Sequence, residues 1–281
     1  MIPYPEGVER AYRSALQPML DDLRERTAAL VEGLSSYTVE DHARGPDDGE
    51  EVTDARRMSK ARAAALAAKI EEMRAAVIKR WTTEQIVKRV PLEEFVQGVD
   101  RQHARAMDKQ VGEAIKRSPL DLPDDAEAWV KANDGSFAEA KRDAWTRANA
   151  KLISSIAERH VDRIAEVVEA GVRAGSRASV VARRIQETTG ISRRRAATIA
   201  RDQVAALQGQ VVAARQKKLG ITSYRWRTAG DLRVRTAHRQ REGRIFSWQQ
   251  PPADGHPGQP INCRCTAEPV LDEVLGGLMP E

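Results

Sequence analysis

Apolar residues recur at three- and four-residue steps over residues 7–34, at Tyr12, Leu16, Leu20, Leu23, Leu30 and Leu34, with one double step. That spacing puts them on one face of an α-helix, and Pro18 predicts a kink or a restart, because proline lacks an N–H and clashes with the preceding turn. Residues 35–51 (SSYTVEDHARGPDDGEE) lose the apolar period and are expected as an exposed loop. A second helix is predicted over residues 53–81, with Leu66, Ile70, Met73, Val77 and Trp81 as its stripe. At ~1.5 Å per residue it measures roughly 40 Å. Such a rod suits a helical bundle or hairpin, since an α/β core needs strands between its helices. The run TTEQ at residues 82–85 has the form of a capping box that opens a third helix, interrupted at Pro91.

Residues 118–136 (SPLDLPDDAEAWVKANDGS) concentrate Pro, Asp and Gly and are the expected linker. A long helix follows over residues 137–174, burying Trp145, Ile153, Ile156, His160, Ile164 and Val168, with His160 read as a core residue and not a ligand. Gly175 and Gly190 punctuate two shorter helices, the second opened by Ser192 as N-cap and closed by Gly220. A short glycine turn before the basic run at residues 192–195 also admits a DNA-binding helix-turn-helix, against the plainer reading of a surface helix in a bundle. After Gly220 the texture changes. ITSYRWRT alternates like a strand with one buried face. A short helix over residues 234–240, a turn at Gly243, a second short strand, the loop PPADGHPGQP and a last strand in INCRCTAEPVL then follow. The expected fold is mainly α: a helical N-terminal region (1–117), a linker (118–136), a helical central region (137–220) and a small C-terminal α+β domain (221–281).

Composition agrees. The 281 residues are too many for one usual core of roughly 100–200 residues, and two or three packed units are expected. With 31% charged and 4% aromatic residues, long solvated helices are favoured over sandwiches or barrels. Two cysteines one residue apart staple no long loop, which excludes a disulfide scaffold and fits an intracellular product. Neither a signal peptide nor a membrane span is expected, and no membrane partner follows. The net charge of +5 hides an asymmetry: residues 181–250 carry 16 Lys or Arg against 4 Asp or Glu. Clustered cations of this kind release counterions from phosphates, so double-stranded DNA, bound without sequence preference, is an expected partner. The candidates for phosphate contact are Arg193, Arg194, Arg195, Arg201, Arg215, Lys217 and Lys218; a set of solvated helix faces is the alternative.

The sharpest local signal is an ordered set of residues, Trp226, Asp231, Arg233, Arg235, His238, Gly243, His256, Pro257, Asn262, Cys263, Arg264 and Cys265. It resembles the minor head, or head morphogenesis, family of tailed bacteriophages, the Mu F-like family, from about residue 161 to 271. The upstream helix of that family usually starts like ARTE. Here it reads Ala200, Arg201, Asp202, Gln203, so only Arg201 of the charged pair is kept. The resemblance implies a virion structural protein and not an enzyme. It would act in procapsid assembly in the host cytoplasm and then sit inside the capsid near the portal. Its partners would be the portal protein and the major capsid or scaffold protein.

Read as chemistry, Asp231 can pair with Arg233 or Arg235 or accept turn amides, and His238, four residues from Val234, points inward from a short helix. His238, His256, Cys263 and Cys265 supply the donor inventory of a structural Cys2His2 zinc site, the one cofactor the sequence suggests. On a regular strand, Cys-x-Cys puts both thiols on one side. Buried reduced thiols and a local redox pair stay open beside the metal. Competing functions are a metal-dependent ββα-type nuclease, a toxin-like ADP-ribosylating effector and a helical adaptor. Against the first two, acidic residues near His238 are few and no Glu-x-Glu occurs between residues 224 and 266. Phosphate-binding glycine loops are absent, and no nucleophile has an evident base.

Overall fold

The computed structural model describes residues 3–40, 60–120, 122–133 and 137–276. In chain order its elements are α1 (Glu6–Ala15), α2 (Gln17–Glu40), α3 (Lys60–Arg80), α4 (Thr83–Arg89), α5 (Leu92–Arg117), α6 (Ala126–Asn133), α7 (Glu139–Arg173) and α8 (Ala178–Lys218). A short C-terminal series follows: β1 (Ser223–Arg227), α9 (Thr236–Arg239), β2 (Ile245–Ser247), β3 (Thr266–Pro269) and α10 (Asp272–Gly276). The fold is mainly α with a small C-terminal α+β part, as the periodicity predicts. No helix among the described residues is long and apolar enough to cross a membrane.

Several elements form where the local chemistry puts them. The chain restarts as α2 at Pro18, in the first turn, where a missing N–H costs nothing. Thr82 caps α4 by accepting the Gln85 N–H, and Pro91 separates α4 from α5. The expected loop at residues 35–51 differs at its start, because α2 continues to Glu40; residues 41–59, which include the predicted start of the second helix, lie outside those described. The stretch at 118–136 contains α6, whose Ala126 and Val130, four apart, bury one face.

The main correction concerns Gly190. Gly175 does take a left-handed conformation after α7, but α8 runs unbroken through Gly190 and Ser192 for 41 residues. A glycine costs a helix only about 1 kcal/mol, and the positions on either side, Val181, Ile185, Thr188, Ser192, Ala196 and Ala200, keep one buried stripe in register across it. There is accordingly no turn for a helix-turn-helix, and Ser192 is not an N-cap.

The chain forms two compact units. One comprises Arg13–Val90 and Asn149–Ala197. In it α2 packs on α3, and the buried Asp22 accepts the Trp81 indole N–H at 2.7 Å and a bond from Arg26 at 3.1 Å. His160, on α7, is 1% exposed. Thr27 donates its hydroxyl proton to Leu23 O, so it accepts from His160 Nε2 at 2.8 Å, and Nδ1 accepts from Ser192 Oγ at 2.9 Å. His160 is a satisfied core histidine. Burial lowers its pKa to about 4.

The other unit comprises Met1–Tyr12, Pro91–Ala148 and Thr198–Glu281. Its sheet is antiparallel with order β2-β1-β3, Tyr224 facing Phe246 and Pro269, and Arg227 facing Thr266. Alternation along β1 sends Tyr224 and Trp226 inward, where they join Val212 of α8, Trp248, Cys263, Cys265 and Ala267 in one core cluster. Arg225 and Arg227 lie on the opposite face and pair with Glu268 of β3. The final strand is shorter than its sequence suggests: β3 starts at Thr266, and the NCRC run precedes it as a loop in which Asn262 has φ 58°.

Candidate functional site

The Mu F-like motif residues converge on this small sheet. The turn after β1 carries Asp231, which accepts the Arg233 backbone N–H and both Arg233 and Arg264 guanidinium groups. Those bonds, Arg264 first, hold its carboxyl below the usual range. Arg235 does not pair with Asp231; its guanidinium reaches Ile261 O at 2.5 Å. Gly243, with φ 74°, returns the chain so that its N–H meets Trp226 O at 2.9 Å. The loop holding Asn262 is tied to α8, because the Asn262 N–H donates to Asp202 at 3.0 Å. Asp202 is the shortened acidic residue of the upstream ARDQ run, so its carboxylate anchors the loop.

His238 sits on α9, 2% exposed, with the Trp226 ring edge-on at 5.2 Å. Its Nε2 bonds to Asp254 Oδ2 at 3.0 Å, and Arg241 holds the other Asp254 oxygen at 2.6 Å. Although burial works to raise it, these two bonds keep the Asp254 carboxyl below its ordinary range. His238 Nδ1 faces Cys265 Sγ at 3.4 Å and Cys263 Sγ at 3.7 Å. Both cysteines are buried and free of disulfide. The hydrogen bond from Cys265 pulls the Cys263 thiol down to about 6, against the effect of burial. The same bond, with burial, pushes Cys265 up, so one thiolate forms before the other. A cavity of about 80 Å³ adjoins the cluster, lined in part by Val234, Arg235, Asn262 and Arg264.

Of the four expected metal donors, the structure brings together His238, Cys263 and Cys265, whose donor atoms all lie within 4.8 Å of one another. It does not bring His256 to them. His256 Nδ1 bonds to Tyr224 OH at 2.9 Å and its ring packs on Trp248 at 4.9 Å. Burial lowers the His256 pKa and raises that of Tyr224. His256 is placed there by its own loop, whose Pro257 and Gly258 press against α8 at Gly209.

The expected phosphate contacts divide. Arg193, Arg194, Lys217 and Lys218 are exposed. Arg195 is half-buried on Ser155, and Arg201 is half-buried beside Glu9. Arg215 is a correction: it is 4% exposed, with its guanidinium 2.9 Å from Asp100, and no phosphate reaches it. Sequence reading also missed Asp254, Asp100 and Gln216. Gln216, inside the basic run RQKK, is fully buried and bridges the Trp248 indole N–H at 3.0 Å to Ala267 O at 2.9 Å.

These residues thus form an internally bonded cap with its central histidine and both thiols buried. Residues 162–268 match the family model described as Phage Mu protein F like protein, which bears out the resemblance carried by the motif over that segment. An uncharacterized protein of Haemophilus influenzae is 38% identical over 133 residues, 47% of this chain and 30% of that relative. The match therefore spans less than a third of the relative's length. No solved structure matches the chain.

Proposed function

We propose that this protein is a minor head component of a tailed bacteriophage that acts in procapsid assembly, lies inside the capsid near the portal, and touches packaged double-stranded DNA. The observation that carries the reading is the match of residues 162–268 to the Mu F-like family, over a segment whose motif residues bond to one another. A non-catalytic role is supported by the burial of His238, Cys263 and Cys265 at 2–6% exposure, beside a cavity with room for water but not for a nucleotide. The DNA contact rests on charge: Arg193, Arg194, Lys217 and Lys218 are exposed, Lys217 with its ammonium over the Trp248 ring.

The helical region supplies surface for the portal and for the major capsid or scaffold protein. Co-expression with the portal and coat proteins of the same phage tests the assembly reading: the protein is expected to sediment with procapsids and to crosslink to the portal. Procapsids that form with normal portal content in its absence, and that never retain it, would end that reading.

A further inference from the structure

We propose that His238 Nδ1, Cys263 Sγ and Cys265 Sγ bind one zinc(II) ion, with a water in the adjoining cavity as fourth ligand, and that this ion staples the loops of the C-terminal cap. The distances fit. Tetrahedral zinc, with Zn–N near ~2.0–2.1 Å and Zn–S near ~2.3 Å, separates an imidazole nitrogen from a thiolate sulfur by roughly 3.5 Å. The two N···S separations, 3.4 and 3.7 Å, lie on either side of that value.

The surroundings also suit a metal. With Nε2–H given to Asp254, the neutral imidazole aims the Nδ1 lone pair at the sulfurs, and the carboxylate behind it is the usual orienting partner of a metal-bound histidine. An N–H group also points at one sulfur: the Gly258 amide donates to Cys263 Sγ, 3.5 Å away. Donors aimed at sulfur stabilise thiolates.

Two thiolates and an imidazole are the soft and borderline set that selects zinc over magnesium or calcium. They also cancel the charge of the dication, which lets the site sit beside Arg235 and Arg264. The cavity of about 80 Å³ has room for water. The ion acts structurally. It joins α9 to the loop before β3, in a region whose strands β2 and β3 are only three and four residues long.

The test uses the full chain, reduced and purified, with zinc alone as the probe and metal measured by mass spectrometry after dialysis. About one equivalent is expected. Cys263→Ser, Cys265→Ser and His238→Ala should each fall below about a tenth of that, His256→Ala should keep it, and Asp254→Asn should weaken zinc affinity roughly 10–100-fold. Because the ligand variants can misfold, cobalt(II) alone added to the apo wild-type chain provides a second readout, the thiolate-to-cobalt charge-transfer band and the intense visible bands of a tetrahedral site. Wild-type protein that retains less than about a tenth of an equivalent with its thiols reduced overturns the site. So does a cobalt complex lacking the charge-transfer band, or a loss on His256→Ala equal to that on His238→Ala.

Discussion

Gly209 on α8 and Gly258 in the loop before Cys263 meet backbone to backbone. A methyl on Gly209 would stand 2.6 Å from Pro257 O, and one on Gly258 would stand 2.5 Å from Ala205 O. This contact lets the loop lie flat on the helix and sets the path from His256 to the cysteines. Gly258 also has φ 86°, which a side chain resists. Gly209→Ala and Gly258→Ala are therefore expected to cost about 1–3 kcal/mol each, with the larger loss at Gly258. Denaturant midpoints measure it; an unchanged midpoint for both variants would show that helix and loop part freely.

Gln216 is the second joint of the cap. Gln216→Leu keeps the volume but strands the Trp248 indole N–H and the Ala267 carbonyl, both buried bonds at present. A loss of about 1–3 kcal/mol is expected, with a change in Trp fluorescence as Trp248 shifts.

The buried ion pair makes a sharper prediction about charge. Arg215→Met leaves Asp100 without its guanidinium and should destabilise by roughly 3–5 kcal/mol. On the exposed side of the same turn, Lys218→Gln should change stability by less than about 0.5 kcal/mol, and Lys217→Gln, which loses its ammonium over the Trp248 ring, by about 0.5–1 kcal/mol. Those two and Arg193→Gln and Arg194→Gln should instead flatten the salt dependence of DNA affinity, by a slope of about 0.9 for each phosphate left without its cation. Anisotropy titrations over a range of salt measure that slope. Affinity that does not respond to salt in the wild-type chain removes the DNA contact.

Two buried histidines predict acid sensitivity. Among the described residues neither ring nitrogen of His103 has a hydrogen-bond partner, and burial, with Arg215 nearby, lowers its pKa to about 3; that of His160 is about 4. Both lie below the unfolded value of about 6.5, so the unfolded chain binds more protons at intermediate pH. The stability they support is complete above about pH 6.5 and is lost as pH falls toward 4 and then 3, on the order of 1–2 kcal/mol per histidine at pH 5. His103→Leu should remove its share of that slope and cost little at pH 7.5, since no hydrogen bond is broken. Melts at pH 7.5 and 5 test this, and an unaltered slope in the variant would assign the acid loss to other groups.

Removing the proposed ion carries its own expectation. Chelation should lower the melting temperature of the wild-type chain and expose both thiols to a disulfide reagent, while Cys263→Ser, already without metal, should not respond to the chelator. Equal thiol reactivity with and without chelator would argue that burial alone protects the sulfurs.

How much of this was legible depends on how far the deciding contact lies along the chain. Helix stripes, the Thr82 cap and the alternation of Tyr224 and Trp226 come from neighbours within one or two turns, so the order of residues alone set α2, α3, α4, α7 and β1. The same local rules failed at Gly190, where a glycine reads as a stop but the buried stripe on both sides outweighs its small cost. The motif held the chemistry of the cap without its pairing. Asp254 finds His238 sixteen residues away through a loop that has no period, while His256, an equal candidate by composition, is turned onto Tyr224 because Gly258 seats its loop against α8. Arg215 and Arg194 look alike in a basic run; only the approach of Asp100 from α5 buries one of them. Local hydrogen bonding and periodicity were written in the sequence, whereas which donors share a site was decided by packing between segments far apart along the chain.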